Sequence, residues 1–260
     1  MAEPALRLTR AEGAEPAALA EAFAAARAAG RVVKDEEETL LVREDAASGA
    51  RWWKLYRVPP RRRTFALLAR SRAGREWRAL RAMQAAGLPV VPPLAFGESR
   101  PGGVLRSSLL LTGEADGARD LRELWAEAAG QPHRFELAEA AGRAAARLHE
   151  AGFGHFRMQM RNLLRDPDGA IRWLDAPYAC RWRGPAPRRV RAVDLVDLCG
   201  GDAAFGVEAA RRCLLAYAEE AGWAPPLEAV RGRSRPAQKL RRIAYYLLAV
   251  NFGRRIPPTP

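Results

Sequence analysis

His155-Phe156-Arg157-Met158-Gln159-Met160-Arg161-Asn162-Leu163-Leu164 is followed, after a short turn, by Ile171-Arg172-Trp173-Leu174-Asp175. The apolar pairs and runs here, Leu163-Leu164 and Ile171 to Leu174, read as two short strands. Asp166-Pro167-Asp168-Gly169, a cluster of turn formers, joins them. A histidine opens the stretch, an asparagine stands seven residues later, and an aspartate ends the second strand. This spacing is the sharpest signal in the chain.

On either side of it the hydrophobic period changes. From Arg31 to Leu111 the pattern is of short β-like runs, at Val32-Val33, Thr39 to Val42, Trp52 to Tyr56 and Ser107 to Leu111, with one helical stretch from about Ser71 to Ala86. From Arg119 onward it is helical: Leu121 to Ala128, Phe135 to Glu150, Ala192 to Leu198, Ala203 to Ala221 and Pro236 to Phe252. Strands first and helices after predict an α+β chain of two unequal lobes. Ahead of both, the alanine-rich stretch Pro16 to Ala29 stops at Gly30 and predicts a helix. The expected division is an N-terminal helical extension over 1–30, a strand-rich lobe over 31–111 and a helical lobe over 112–260. No internal repeat is present.

Composition agrees with a folded chain. With 260 residues and 48% hydrophobic content, a substantial core can be buried. The net charge of +13 comes almost wholly from arginine, because the only lysines are Lys34, Lys54 and Lys239. Such a balance favours anionic partners, although a GC-rich genome gives the same bias. Cys180, Cys199 and Cys213 are odd in number and far apart in sequence, so ordinary reduced thiols are expected. No apolar run approaches the roughly 18 residues of a membrane span, and Glu3, Arg7 and Arg10 interrupt the start. A cytoplasmic location is expected, with the face of the inner membrane as a peripheral alternative.

Two further residues stand out. In Arg51-Trp-Trp-Lys-Leu-Tyr56, alternation puts Trp52, Lys54 and Tyr56 on one strand face. Glu76 lies beside the apolar stripe Trp77, Leu80 and Met83 of the helical stretch that follows. Taken singly, each has a plain reading: a snorkelling surface lysine, and a solvated pair of Glu76 with Arg72.

Taken together in this order, these residues resemble the lipopolysaccharide kinases that phosphorylate Kdo or heptose, members of the protein-kinase-like superfamily. The resemblance extends to Leu148-His149-Glu150-Ala151-Gly152-Phe153-Gly154-His155 and to Gly87-Leu88-Pro89-Val90-Val91-Pro92-Pro93. Aminoglycoside and RIO kinases are similar at greater distance. Roughly residues 31 to 220 are covered. The resemblance implies a bilobal protein-kinase-like fold that binds ATP and Mg²⁺. Lys54 would hold the α and β phosphates, with Glu76 as its helix partner. Asn162 and Asp175 would be the magnesium ligands, oxygen donors suited to a hard cation. His155 would pack structurally under the metal-binding strand, and Asp194, in Val193-Asp-Leu-Val-Asp-Leu198, would brace the catalytic loop.

The chain departs from the family pattern at three places. Where an aspartate should accept the substrate proton, two residues after the histidine, stands Arg157, whose guanidinium has no lone pair and does not deprotonate. Asp175 is followed by Ala176-Pro177 instead of a glycine, which stiffens the turn. No Gly-x-Gly-x-x-Gly lies between Arg31 and Asp45.

Three functions follow as expectations. The first is a nucleotide-binding pseudokinase. The second is an active ATP-dependent kinase acting on a Kdo or heptose residue of the lipopolysaccharide core. The third is a basic protein of a membrane surface or nucleic acid, although no specific nucleic-acid motif is present. The arginine runs Arg61-Arg62-Arg63, Arg188-Arg189, Arg241-Arg242 and Arg254-Arg255 are expected to be solvated faces, and His133 and His149 to have no chemistry.

Overall fold

The computed structural model describes residues 6–47, 49–62, 70–128, 130–200 and 205–231, and the architecture below is that of these residues. They form two compact units, Met1–Arg81 with Val91–Ala115, and Ala82–Val90 with Asp116–Pro260.

The first unit is built on one antiparallel sheet. Its elements are β1 (Arg10–Glu12), α1 (Pro16–Ala29), β2 (Arg31–Glu36), β3 (Thr39–Ala46), β4 (Gly49–Arg57), β5 (Pro93–Ser99) and β6 (Ser107–Gly113), with the start of α2 (Arg72–Ala85). The strand order is β1-β5-β6-β4-β3-β2. Period-two alternation in β4 sends Trp53 and Leu55 into one core with Leu19, Phe23 and Ala26 of α1. The rings of Phe23 and Trp53 lie 5.9 Å apart. On the other face, Tyr56 joins Ala73, Trp77, Phe96 and Leu110. This second cluster seats α2.

Residues 6–30, expected to belong to an extension, are part of this unit. β1 pairs with β5 through Arg10–Glu98, Ala11–Gly97 and Glu12–Phe96, and α1 covers one sheet face. Neither β1 nor β5 was expected. β1 has only three residues, and β5 begins with proline and buries four consecutive residues, so neither alternates. Gly30 does end α1, but in an extended conformation, where a Cβ would lie 2.5 Å from the Ala26 carbonyl oxygen. Close approach, and not a left-handed cap, requires glycine there.

The second unit begins with the end of α2 and the bend to Val90, which bridges in parallel to Trp173. It continues through β7 (Arg119–Asp120), α3 (Leu121–Glu127), α4 (Gln131–Glu150), β8 (Phe153–Gly154), β9 (Leu163–Arg165), β10 (Ile171–Trp173), β11 (Cys180–Arg181), α5 (Arg188–Gly200), α6 (Val207–Ala221) and α7 (Leu227–Arg231). The boundary therefore falls at 115/116 where 111/112 was expected, and residues 82–90 belong with the helices. The predicted helix over 236–252 lies outside the described residues.

Local chemistry sets these elements. Asp120 caps α3 by accepting the N–H groups of Arg122 and Glu123. Arg172 in β10 holds Asp166 of the turn with both guanidinium arms, the longer at 3.0 Å. α4 packs on α6 through small residues. At Gly142 an added Cβ would stand 2.2 Å from the carbonyl oxygen of Cys213, so the helix backbones touch. All three cysteines are free and buried. Cys199 and Cys213, though distant in sequence, share a hydrogen bond, and that bond together with burial pushes the Cys213 thiol up.

Candidate functional site

Lys54 sits in the middle of β4, between Leu41 of β3 and Leu110 of β6. Its Nζ lies 3.2 Å from Glu76 Oε1. The other carboxylate oxygen of Glu76 accepts the Tyr56 hydroxyl at 2.6 Å. Glu76 is only 2% exposed. A carboxylate so buried needs compensation, to which the Lys54 ammonium and the Tyr56 phenol contribute. The alternation that puts Lys54 and Tyr56 on one face, together with the cluster that seats α2, produces the arrangement.

In the second unit, α4 leads through β8 into the loop over 155–162. The buried carboxylate of Asp194, on α5, accepts the His155 N–H at one oxygen and the Phe156 N–H at the other, each at 2.7 Å. Phe156 has φ 61. For a buried aromatic residue this left-handed conformation is costly, and the two bonds to Asp194 offset part of that cost. Asp194 also contacts His149 Nε2 at 3.2 Å, and His149 Nδ1 lies 2.9 Å from the Tyr217 hydroxyl. Burial pushes Tyr217 up to about 12, so its hydroxyl remains a donor. With that hydroxyl donating, His149 accepts at Nδ1 and presents Nε2 to Asp194.

His155 is buried against Trp173, with ring centroids 5.4 Å apart, and its Nε2 lies 3.4 Å from the Leu174 carbonyl. Burial holds it below the usual histidine range. The Arg157 carbonyl accepts the Asn162 side-chain amide at 2.8 Å and the Gln159 N–H at 2.9 Å. The Arg157 guanidinium carbon is 5.7 Å from the Tyr178 ring centroid. The Asn162 carbonyl in turn accepts the Leu174 N–H at 3.2 Å, which makes Asn162 a neighbour of the segment ending in Asp175. Asp175 has φ 52, a conformation aspartate tolerates better than most residues.

The structure thus brings Lys54 to Glu76 in the first unit. In the second it gathers His155, Arg157, Asn162 and Asp194 around one loop, with Asp175 at the end of the adjoining strand. His149 and Tyr217, expected to carry no chemistry or not noted, belong to this framework. Their partners lie 45 and 68 residues apart, so no local spacing reveals them. A separate cavity of about 280 Å³ beside α4, lined by Leu88, Arg143, Arg165, Ile171 and Trp173 among others, includes none of the seven candidate residues.

A six-stranded antiparallel sheet followed by a mainly helical unit whose loop is braced from a later helix defines an α+β, protein-kinase-like fold. Residues 31–197 match the lipopolysaccharide kinase (Kdo/WaaP) family, and the chain belongs to that family. Among solved structures it is similar to one described as WaaP in complex with acyl carrier protein, at 23% identity and a TM-score of 0.57, over 92% of this chain and 98% of that one. No curated protein sequence matches it.

Kinases of this family use a nucleotide and a metal, and the donor set here suits such a pair. The Asn162 amide nitrogen is turned to the Arg157 carbonyl, which leaves Oδ1 as the atom open to a cation. Among the described residues no group of three or more His, Cys, Asp or Glu gathers as a metal cage. Magnesium does not need one: one or two protein oxygens plus substrate phosphates are its usual shell.

Proposed function

We propose that this chain is a nucleotide-binding member of the lipopolysaccharide kinase family that has lost its general base, a pseudokinase in its present form. The observation that carries the reading is Arg157. It occupies the loop position where a proton acceptor is expected, on a backbone held by Asp194 and Asn162. Lys54, kept in place by Glu76, would bind the α and β phosphates of ATP. Asn162 and Asp175 would hold Mg²⁺, which when bound neutralises phosphate charge. The loop would orient an acceptor hydroxyl without accepting its proton. The acceptor class implied by the family is a Kdo or heptose sugar of the lipopolysaccharide core, and the charge of +13 supports an anionic partner.

A second reading, slow but genuine phosphoryl transfer, is favoured by the same residue. Arginine stabilises transferring phosphate in other enzymes, and such transfer depends mainly on positioning and electrostatics.

Thermal unfolding with ATP, with and without Mg²⁺, tests the nucleotide site. Ligand at about a hundredfold above its dissociation constant adds roughly 2.7 kcal/mol. ATP with Mg²⁺ should stabilise more than ATP alone, and Asp175→Ala should erase the difference. Identical shifts in all four samples would remove the metal assignment. Acceptor-dependent transfer at ordinary kinase rates by the natural protein, abolished in Asp175→Ala, would replace the pseudokinase by the active enzyme.

A further inference from the structure

Between Asp175 and Asp194 the chain carries five arginines, at 181, 183, 188, 189 and 191, and no carboxylate. Arg191 is turned inward, where it binds Glu150 at 2.5 Å and the Ala186 carbonyl at 2.6 Å. That anchor ties α5 to α4 and to the segment before it, while the other four arginines are exposed. None of the four makes an ion pair with a carboxylate among the described residues. The contrast with arginines elsewhere is informative. Arg43 meets Glu114 at 2.8 Å, Arg57 meets Asp35 at 3.0 Å, Arg119 meets Glu127 at 2.6 Å and Arg147 meets Glu220 at 3.0 Å. Exposed arginines with no ion pair among the described residues stand singly elsewhere, as at Arg31, Arg106 and Arg122, whereas four fall here within nine residues.

Aromatic rings are set among these charges. Arg181 lies over Phe153 at 5.2 Å and Arg188 over Trp223 at 5.3 Å, and both Trp182 and Trp223 are half-buried. Arginine with partly exposed tryptophan is the composition that settles at the headgroup level of a bilayer, the cation with lipid phosphate and the indole at the interface. A single small anion would need convergent donors in a concave site. Here Arg181 ends β11, Arg183 follows it, and Arg188 and Arg189 open α5, a spread of exposed charge that fits an extended surface better than one small anion.

We propose that the surface formed by Arg181, Trp182, Arg183, Arg188 and Arg189 docks the protein on an anionic bilayer. Docking there would place the loop over 155–162 beside the membrane, because β11, which carries Arg181, pairs with β8 at the entrance to that loop. The proposal does not depend on whether the loop transfers phosphate.

The test is sedimentation of the full chain with phosphatidylglycerol-containing vesicles and with pure phosphatidylcholine vesicles. The natural protein should bind the first and not the second. Each interfacial arginine contributes about fivefold, so Arg183→Gln/Arg188→Gln/Arg189→Gln should weaken binding about a hundredfold. Arg183→Gln alone, at an exposed residue, should cost about fivefold without affecting folding. The charge-matched control Arg147→Gln/Arg211→Gln/Arg212→Gln alters arginines that have acid partners and should change binding less than about threefold. Equal losses in the two triple variants would show that net charge alone is read, and would overturn the proposal. So would failure of the natural protein to bind anionic vesicles, or loss of oligonucleotide binding in the first triple variant with vesicle binding intact. The ATP-dependent thermal shift, measured on the same variants, reports separately on the nucleotide site.

Discussion

The side chain of Asn162 holds the main chain of Arg157, amide to carbonyl, at 2.8 Å. It touches no part of the Arg157 side chain, and in this loop Asp194 accepts only the N–H groups of His155 and Phe156. The half-buried guanidinium meets the Tyr178 ring, a contact worth about 0.5–2 kcal/mol, and its Nε is buried without a hydrogen-bond partner. Arg157→Asp should therefore fold normally, with a melting temperature within a few degrees of the parent. Given a Kdo-lipid or heptose acceptor, its phosphate transfer should exceed the parent's by about 10² to 10⁴. A folded Arg157→Asp protein with no gain in transfer would argue against a missing base as the defect.

Lys54 and Glu76 should separate binding from stability. Lys54→Met removes the phosphate contact and also takes a cation away from a carboxylate that is 2% exposed. The expected outcome is loss of the ATP-induced thermal shift, with stability lower by about 1–3 kcal/mol. Lys54→Met/Glu76→Gln should recover much of that stability and none of the nucleotide binding. Denaturant titration beside nucleotide binding distinguishes the two effects.

At Asp194 the expected effect is on the loop itself. Two hydrogen bonds from backbone N–H groups to a charged carboxylate contribute about 1.5–3 kcal/mol each. Asp194→Ala should lower unfolding free energy by about 3–5 kcal/mol and increase hydrogen exchange at the amides of His155 and Phe156. Asp194→Asn, of equal size, should also weaken the loop, because one of its two ends is a donor facing a donor. Exchange at these amides unchanged from the parent would mean that Asp194 is not the brace.

Tyr217 gives a pH signature. Its hydroxyl is pushed up to about 12 in the folded protein by burial, against 10.0 for a free tyrosine. The folded state therefore favours the protonated phenol. The stabilisation is complete below pH 10 and is lost as pH rises through the interval to about 12. Absorbance titration should show one tyrosine ionising late, together with alkaline unfolding, and Tyr217→Phe should remove that late step.

The sequence reading was clearest where a local pattern carries the information. The spacing of His155, Asn162 and Asp175, the alternation around Lys54 and the helical period through α4 all lie within one element or one loop. The reading was weaker where partners come from distant segments. β1 and β5 lack alternation, so the wrapping of residues 10–29 onto the sheet was not visible. His149 lacked any neighbour at ligand spacing, because Asp194 and Tyr217 reach it from other helices. Cys199 and Cys213 looked unrelated for the same reason. The arginines at 181–189 were visible as composition, but only the structure shows four of them exposed together with no ion pair among the described residues.

Gly142 and Cys213 bring α4 and α6 together main chain to main chain. The same two helices are tied by His149 to Tyr217, Arg147 to Glu220 and Arg212 to Glu139, so neither can slide or repack without breaking these contacts. The two helices consequently move as one slab, and their central amides exchange with solvent only when the whole second unit opens. The slowest clock in the protein should run in the helix that feeds the loop, which confines fast motion to the hairpin and turns beyond it.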